Sequence, residues 1–138
     1  MKKRLFLILI ILLAILNVSA LEVSLISPLN GAVYMDNDDI TFKCKAIGSD
    51  LVELRLYTDI SGNFIQNKSY SNPQNNTEVS FTVRDIPNGN YIWGCRVISG
   101  IVPYSAWSTN NTFSIAIPAN QVPLYNTVIP NQTWNENT

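Results

Sequence analysis

Two cysteines 51 positions apart, Cys44 and Cys95, are the only thiols in this 138-residue chain, and no histidine accompanies them. Without imidazole, a C-x-x-C spacing or a second cysteine pair, the usual zinc ligand sets are missing. So are the usual partners of a catalytic thiolate. What two lone cysteines can do is join. Ile40, Phe42, Cys44 and Ala46 alternate with Thr41, Lys43 and Lys45; Tyr91, Trp93, Cys95 and Val97 alternate with Ile92, Gly94, Arg96 and Ile98. Alternation at period two puts each cysteine on the apolar face of a strand, so both are expected to point into a core between sheets. A disulfide closing so long a loop stabilises a fold by up to roughly 4 kcal/mol on the chain-entropy estimate.

Four other groups of residues could carry chemistry. Asn67, Asn75, Asn110 and Asn131 each open an Asn-x-Ser/Thr triplet, the acceptor pattern for N-glycosylation, with a fifth at Asn17. All four downstream sites fall in expected loops, edges or tail, although an asparagine-rich chain produces such triplets by chance. Asp36, Asp38 and Asp39 crowd one acidic turn and offer oxygen ligands to calcium, but without the regular EF-hand spacing. An acidic turn between strands is more often simply solvated, and no other cofactor is expected. Tyr34, Tyr104 and Trp107 could form an exposed platform of the kind that holds sugar rings. The competing reading packs Trp107 at the start of the last strand and Tyr34 over one end of the core. Carboxylate pairs such as Asp50 with Glu53, or Asp36 with Asp39, are available for acid–base work, but nothing in the sequence places either in a cleft. No phosphate-binding glycine loop, G-x-S-x-G elbow or zinc-binding motif is present, so the chain is expected not to be an enzyme.

The redox state of the cysteines depends on the N-terminus. Lys2, Lys3 and Arg4 precede twelve residues, Leu5 to Leu16, without a polar side chain, and Val18 and Ala20 occupy the −3 and −1 positions of a small-residue cleavage site. This is the layout of a secretory signal peptide over residues 1–20. A spanning helix needs about 20 apolar residues, more than this run supplies. The competing reading is an uncleaved anchor extended past Asn17. Either way the remainder is expected outside the cell, where a disulfide is the default state of two inward cysteines. Beyond residue 20 the chain holds six basic and ten acidic residues, a charge of −4. That argues against nucleic acid as a partner, which a basic face must neutralise.

The elements that would position these residues are strands. Alternating apolar runs occur at Leu21–Leu25, Ile40–Ala46, Val52–Leu56, Val79–Val83, Tyr91–Val97 and Phe113–Ile117, with a polar edge strand over Phe64–Tyr70. Pro/Asn/Gly/Asp turn clusters separate them, and no helical period of useful length follows residue 20. About seven short strands in residues 21–117 predict an all-β, antiparallel sandwich.

The paired cysteines, with an aromatic residue two positions before the second, resemble the frame of the immunoglobulin-like sandwich. The corner Ile86-Pro-Asn-Gly-Asn-Tyr91 is similar to the turn before the sixth strand of fibronectin type III domains. Ser27–Gly31, Thr41–Ala46, Leu51–Gly62 and Asn88–Cys95 more closely resemble the Ig-like modules of archaeal cell-surface proteins, over roughly residues 22 to 117. The resemblance has departures. Leu54 and Leu56 stand where antibody-type domains carry a tryptophan, and Trp93 stands where the corner tyrosine would be. Such modules act as spacers or binding platforms in larger extracellular proteins, and the resemblance implies no catalytic residues.

Residues 118–138 change character, with Pro118, Pro123 and Pro130 among asparagine, glutamine and alanine. Proline at this density favours an extended linker. Ile129–Thr138 resembles the opening strand of a cadherin-like (dystroglycan-type) module, which would make the chain the N-terminal piece of a longer protein. A disordered tail with one exposed tryptophan is the alternative. The expected function is a secreted or cell-surface, non-catalytic Ig-like module for adhesion, spacing or surface assembly, with other extracellular modules or surface proteins as partners. Membrane contact would come only through an uncleaved signal segment or an anchor beyond residue 138. Two alternatives stand beside it: a carbohydrate-binding accessory module of a surface hydrolase, with glycans as partners, and a stand-alone secreted ligand-binding domain.

Overall fold

The computed structural model describes residues 20–36 and 39–118, so most of the signal-peptide and tail readings, and with them Asn131, lie outside the described residues. Nine strands fill the described part: β1 (Glu22–Ser27), β2 (Ala32–Tyr34), β3 (Ile40–Ile47), β4 (Leu51–Thr58), β5 (Ile65–Ser71), β6 (Glu78–Val83), β7 (Gly89–Ser99), β8 (Ser105–Trp107) and β9 (Asn111–Ile115). Among the described residues there is no helix, and hence none long and apolar enough to cross a membrane. A three-stranded sheet in the order β1-β3-β6 faces a six-stranded one in the order β2-β9-β7-β4-β5, with β8 beside β7.

Alternation builds the core as expected. Ile40, Phe42, Cys44 and Ala46 of β3 meet Trp93, Cys95 and Val97 of β7 and Leu54 and Leu56 of β4, each at most 2% exposed. Phe42 is central, edge-on to Trp93 at 5.2 Å and to Phe113 at 5.3 Å, a favoured geometry for ring quadrupoles. Beside them Cys44 and Cys95 form the disulfide, joining β3 in one sheet to β7 in the other.

Two features differ from the sequence expectation of seven antiparallel strands. First, β1 does not simply end. After the cis Ser27–Pro28 peptide the chain crosses to the other sheet, where β2 runs parallel to β9 with Ala32 opposite Phe113 and Tyr34 opposite Ile115. Second, the last strand is broken by a bulge. β8 pairs with β7 in the register Arg96 to Trp107, whereas β9 pairs Trp93 with Asn111, and Ser108–Asn110 lie between. Ser108 spans the break: the Cys95 amide donates to its Oγ at 2.9 Å, and its own amide donates to the Cys95 carbonyl at 2.9 Å. Both β2 and β8 are three residues long, too short to display a period.

The corner before β7 is also built differently. The Tyr91 hydroxyl, not a group at position 93, donates to the Pro87 carbonyl at 2.9 Å. Trp93 points two residues further into the core and is fully buried. Alternation explains this: Tyr91, Trp93 and Cys95 share the inward face, and only Tyr91 lies near enough to the turn to reach back four residues.

Loop asparagines serve as backbone surrogates. Asn30 Oδ1 accepts from the Thr112 amide at 2.8 Å, and Asn75 Oδ1 from the Gly48 amide at 3.0 Å. Asn88 brackets Ile117, accepting from its amide at 3.0 Å and donating to its carbonyl at 3.1 Å. Side-chain amides of this kind satisfy backbone groups that no strand partner reaches.

Candidate functional site: the outer face of the six-stranded sheet

On β4 the inward residues Leu54, Leu56 and Thr58 leave Glu53, Arg55 and Tyr57 facing outward. The same parity on β7 turns Gly94 and Arg96 outward, and β8 presents Trp107 beside Arg96. Tyr57 therefore meets two aromatic neighbours on the solvent side of the sheet. Its ring lies 4.5 Å from that of Trp107 and stacks on that of Phe64 at 6.0 Å. Trp107 is 48% and Phe64 40% exposed, so the cluster keeps roughly half of each flanking ring in solvent. Gly94 lies directly across from Tyr57, and the Asn110 side chain rests over it: a Cβ at Gly94 would sit 2.6 Å from Asn110 Oδ1. Phe64, Trp107, Ser108 and Asn110 line one open groove of about 400 Å³.

The charges on this face are arranged around the rings. Arg55 and Arg96 are directly opposite across β4 and β7, an unfavourable like-charge pair. Arg55 is neutralised by Glu53, whose Oε2 accepts from Nε at 2.8 Å. That hydrogen bond holds the Glu53 carboxyl below the usual carboxylate range, against a smaller opposing effect of burial. Arg96 instead lays its guanidinium over Trp107, 5.2 Å from the ring centre, and donates to Ser105 Oγ at 3.0 Å.

The other candidate residues are dispersed. Tyr34 leans on the core from β2, and burial pushes its hydroxyl up from its ordinary pKa, opposed by a hydrogen bond with Ser27. Tyr104 stands 66% exposed in the turn before β8. Tyr34 and Tyr104 are therefore not assembled with Trp107, whose ring partners are Tyr57 and Phe64. Tyr57 and Arg96 were not among the expected site residues, and only their outward parity in otherwise apolar strands could have marked them. In the acidic turn Asp36 and Asp39 are described while Asp38 is not, and Asp39 pairs with Arg84 at 3.1 Å. Among the described residues no three His, Cys, Asp or Glu side chains converge on a point that could hold a metal. Asp50 lies in the turn between β3 and β4, whereas Glu53 is engaged by Arg55 on the outer face.

Of the three described glycosylation candidates, Asn67 lies on the exposed edge strand β5 and donates its Nδ2 to Thr58 Oγ1 at 3.2 Å. Asn75 lies in the loop between β5 and β6, and Asn110 in the bulge between β8 and β9. Neither Asn75 nor Asn110 spends its Nδ2 on a partner among the described residues.

No protein-family model matches the sequence, and no curated protein matches it. Solved structures do. A chain from a study of T-cell specificity and activation by the bacterial superantigen toxic shock syndrome toxin-1 aligns with a TM-score of 0.52 at 11% identity. The alignment covers 70% of this chain and 99% of that one. An engineered protein aligns at 0.49 and 14% identity, over 71% of this chain and 20% of its own. A CARDB domain from Pyrococcus furiosus, solved with di-metal ions, aligns at 0.46 and 17% identity, over 72% and 94%. At such identities the first of these likenesses is one of fold alone, that of a β-sandwich domain.

Proposed function

We propose that this chain is a non-catalytic extracellular Ig-like module serving adhesion, spacing or surface assembly. The observation that carries this reading is the placement of the two ends of the sandwich. β1 opens with Glu22 opposite Ile47, at the pole where β7 finishes near Asp50 and Gly100. β9 closes with Ile115 opposite Gly89, where β7 begins, and Asn88 holds Ile117 at that same pole. β7 has 11 residues, which at about 3.3 Å each separates the poles by roughly 35 Å. A chain that enters at one pole and leaves at the other is threaded as a bead on a line, the geometry of a spacer.

The disulfide supports an oxidising compartment, and the charged, apolar and small-residue segments of positions 1–20 support export. The resemblance to archaeal surface modules, with a tail leading toward a dystroglycan-type strand, belongs to the same reading of a linear array. Non-catalytic use is supported by the engagement of the Glu53 carboxylate by Arg55 on the outer sheet face. The test is labelling of intact source cells with a membrane-impermeant amine reagent, followed by peptide mapping. Modified Lys43, Lys45 or Lys68 with oxidised cysteines is the expected result. A chain that labels only after lysis, with both thiols alkylatable, would overturn the reading.

One observation favours a carbohydrate-binding module as a second reading: the half-exposed Trp107 and Phe64 rings flanking Tyr57, with polar groups beside them. A glycan array probed with the mature chain separates the two, because a pure spacer leaves it blank.

A further inference from the structure

We infer that Asn110 carries an N-linked oligosaccharide whose first rings lie on the Trp107–Phe64 face and cover it. The inference rests on the export reading above. Half-exposed Trp107 and Phe64 rings stand against Tyr57 on the open face of a sheet, an apolar surface of the kind that sugar ring faces cover. Asn110 opens the triplet Asn110-Asn111-Thr112, and it lines the same groove as Trp107, Phe64 and Ser108. Its Oδ1 rests over Gly94, its residue lines that groove, and no described residue accepts from its Nδ2. Asn67, by contrast, donates its Nδ2 to Thr58.

The chemistry is a glycosyl transfer. Asn110 Nδ2 attacks C1 of an oligosaccharide carried on a polyisoprenyl phosphate. The N–C1 bond forms as the C1–O bond breaks, the lipid phosphate leaves with the bonding pair, and one amide proton passes to the transferase's base. The apolar C–H face of the attached ring then packs on the indole and phenyl rings, while its hydroxyls meet Ser108 and water. A saccharide taken from solution would use the same ring faces. The sequon inside the groove favours the tethered one, whose effective concentration at the rings is far higher than that of a free sugar.

The test compares the full chain purified from its source with the same chain made in a non-glycosylating periplasm and with an Asn110→Gln variant from the source. Peptide-resolved mass and oxidation of Trp107 are read together. The expected result is added mass on the Asn110 peptide of the source protein, with Trp107 protected in that protein alone and protection lost in both controls. Oxidised cysteines with a bare Asn110 peptide would leave export standing and overturn this inference. Added mass with Trp107 equally oxidised in all three samples would overturn the packing. Protection of Trp107 in the bare chain by added oligosaccharide, together with a bare Asn110 peptide in the source protein, would assign the face to a free glycan and equally overturn it. The periplasmic chain has the native sequence, so the comparison survives if the variant fails to fold.

Discussion

Two aromatic clusters occupy opposite faces of one sheet and are built to different rules. On the inner face Trp93 and Phe113 close edge-on around Phe42, with no ring more than 2% exposed. On the outer face Phe64 and Trp107 lie about half in solvent, stacked or tilted against the partly buried Tyr57, with Arg96 over one ring and the Glu53–Arg55 pair alongside. Residue type is nearly the same in both, so type does not assign the role. Parity along β4 and β7 does. An inward ring contributes by the area and contacts it removes from water, whereas an outward ring keeps a face free for something else.

If that contrast is right, substitutions in the two clusters must separate cleanly. Trp93→Ala is expected to cost about 3–5 kcal/mol in urea unfolding, the range for emptying a large aromatic site in a core. A cost below about 1 kcal/mol would mean that the inner cluster is not the packing centre. Replacing both cysteines, Cys44→Ala with Cys95→Ala, is expected to lower stability by about 2–4 kcal/mol through the freed unfolded chain. Thermal melts of oxidised and double-variant protein read this directly. Tyr91→Phe removes the hydroxyl that reaches the Pro87 carbonyl and is expected to cost about 1 kcal/mol; Trp93→Phe leaves that corner untouched, so the two variants tell the corner from the core. Trp107→Ala should change stability by less than about 1 kcal/mol while altering whatever the outer face contacts, and a large destabilisation would erase the distinction between the faces.

The smallest expected effect is of pH. The Arg55 hydrogen bond sets the folded Glu53 pKa below its unfolded value, so its contribution is fully present above the ordinary carboxylate range. It is lost as pH falls through the folded value. Melting curves of wild type and Glu53→Gln are expected to converge on acidification; curves that stay parallel would remove Glu53 from the acid response.

The fold was largely legible because its long strands carry period-two patterns: β3, β4 and β7 each show buried residues at alternate positions, and the inward cysteines follow from them. The strands that escaped were β2 and β8, where three residues cannot establish a period. The parallel pairing of β2 with β9 joins segments some 80 positions apart and has no local signature. Within the candidate site, Trp107 was visible as an aromatic outside the core pattern, but its partners were not. Tyr57 is hidden among the leucines of β4, and Phe64 approaches it only because the turn after β4 folds β5 back beside it. The choice between Tyr91 and Trp93 at the corner needed the distance to Pro87, which spacing alone does not supply.

The disulfide also governs what happens if the module is pulled. With the chain held at opposite poles, tension loads β1 against β3 and the parallel β2–β9 pair in shear, so that their hydrogen bonds resist together. Once those yield, extension stops at the covalent bridge, because the 51-position loop from Cys44 to Cys95 cannot be drawn out. At about 3.3–3.6 Å per extended residue the bridge withholds roughly 170–180 Å of contour length. It keeps β4, β5 and β6 inside that closed loop, and the chain lengthens only by what its two ends release.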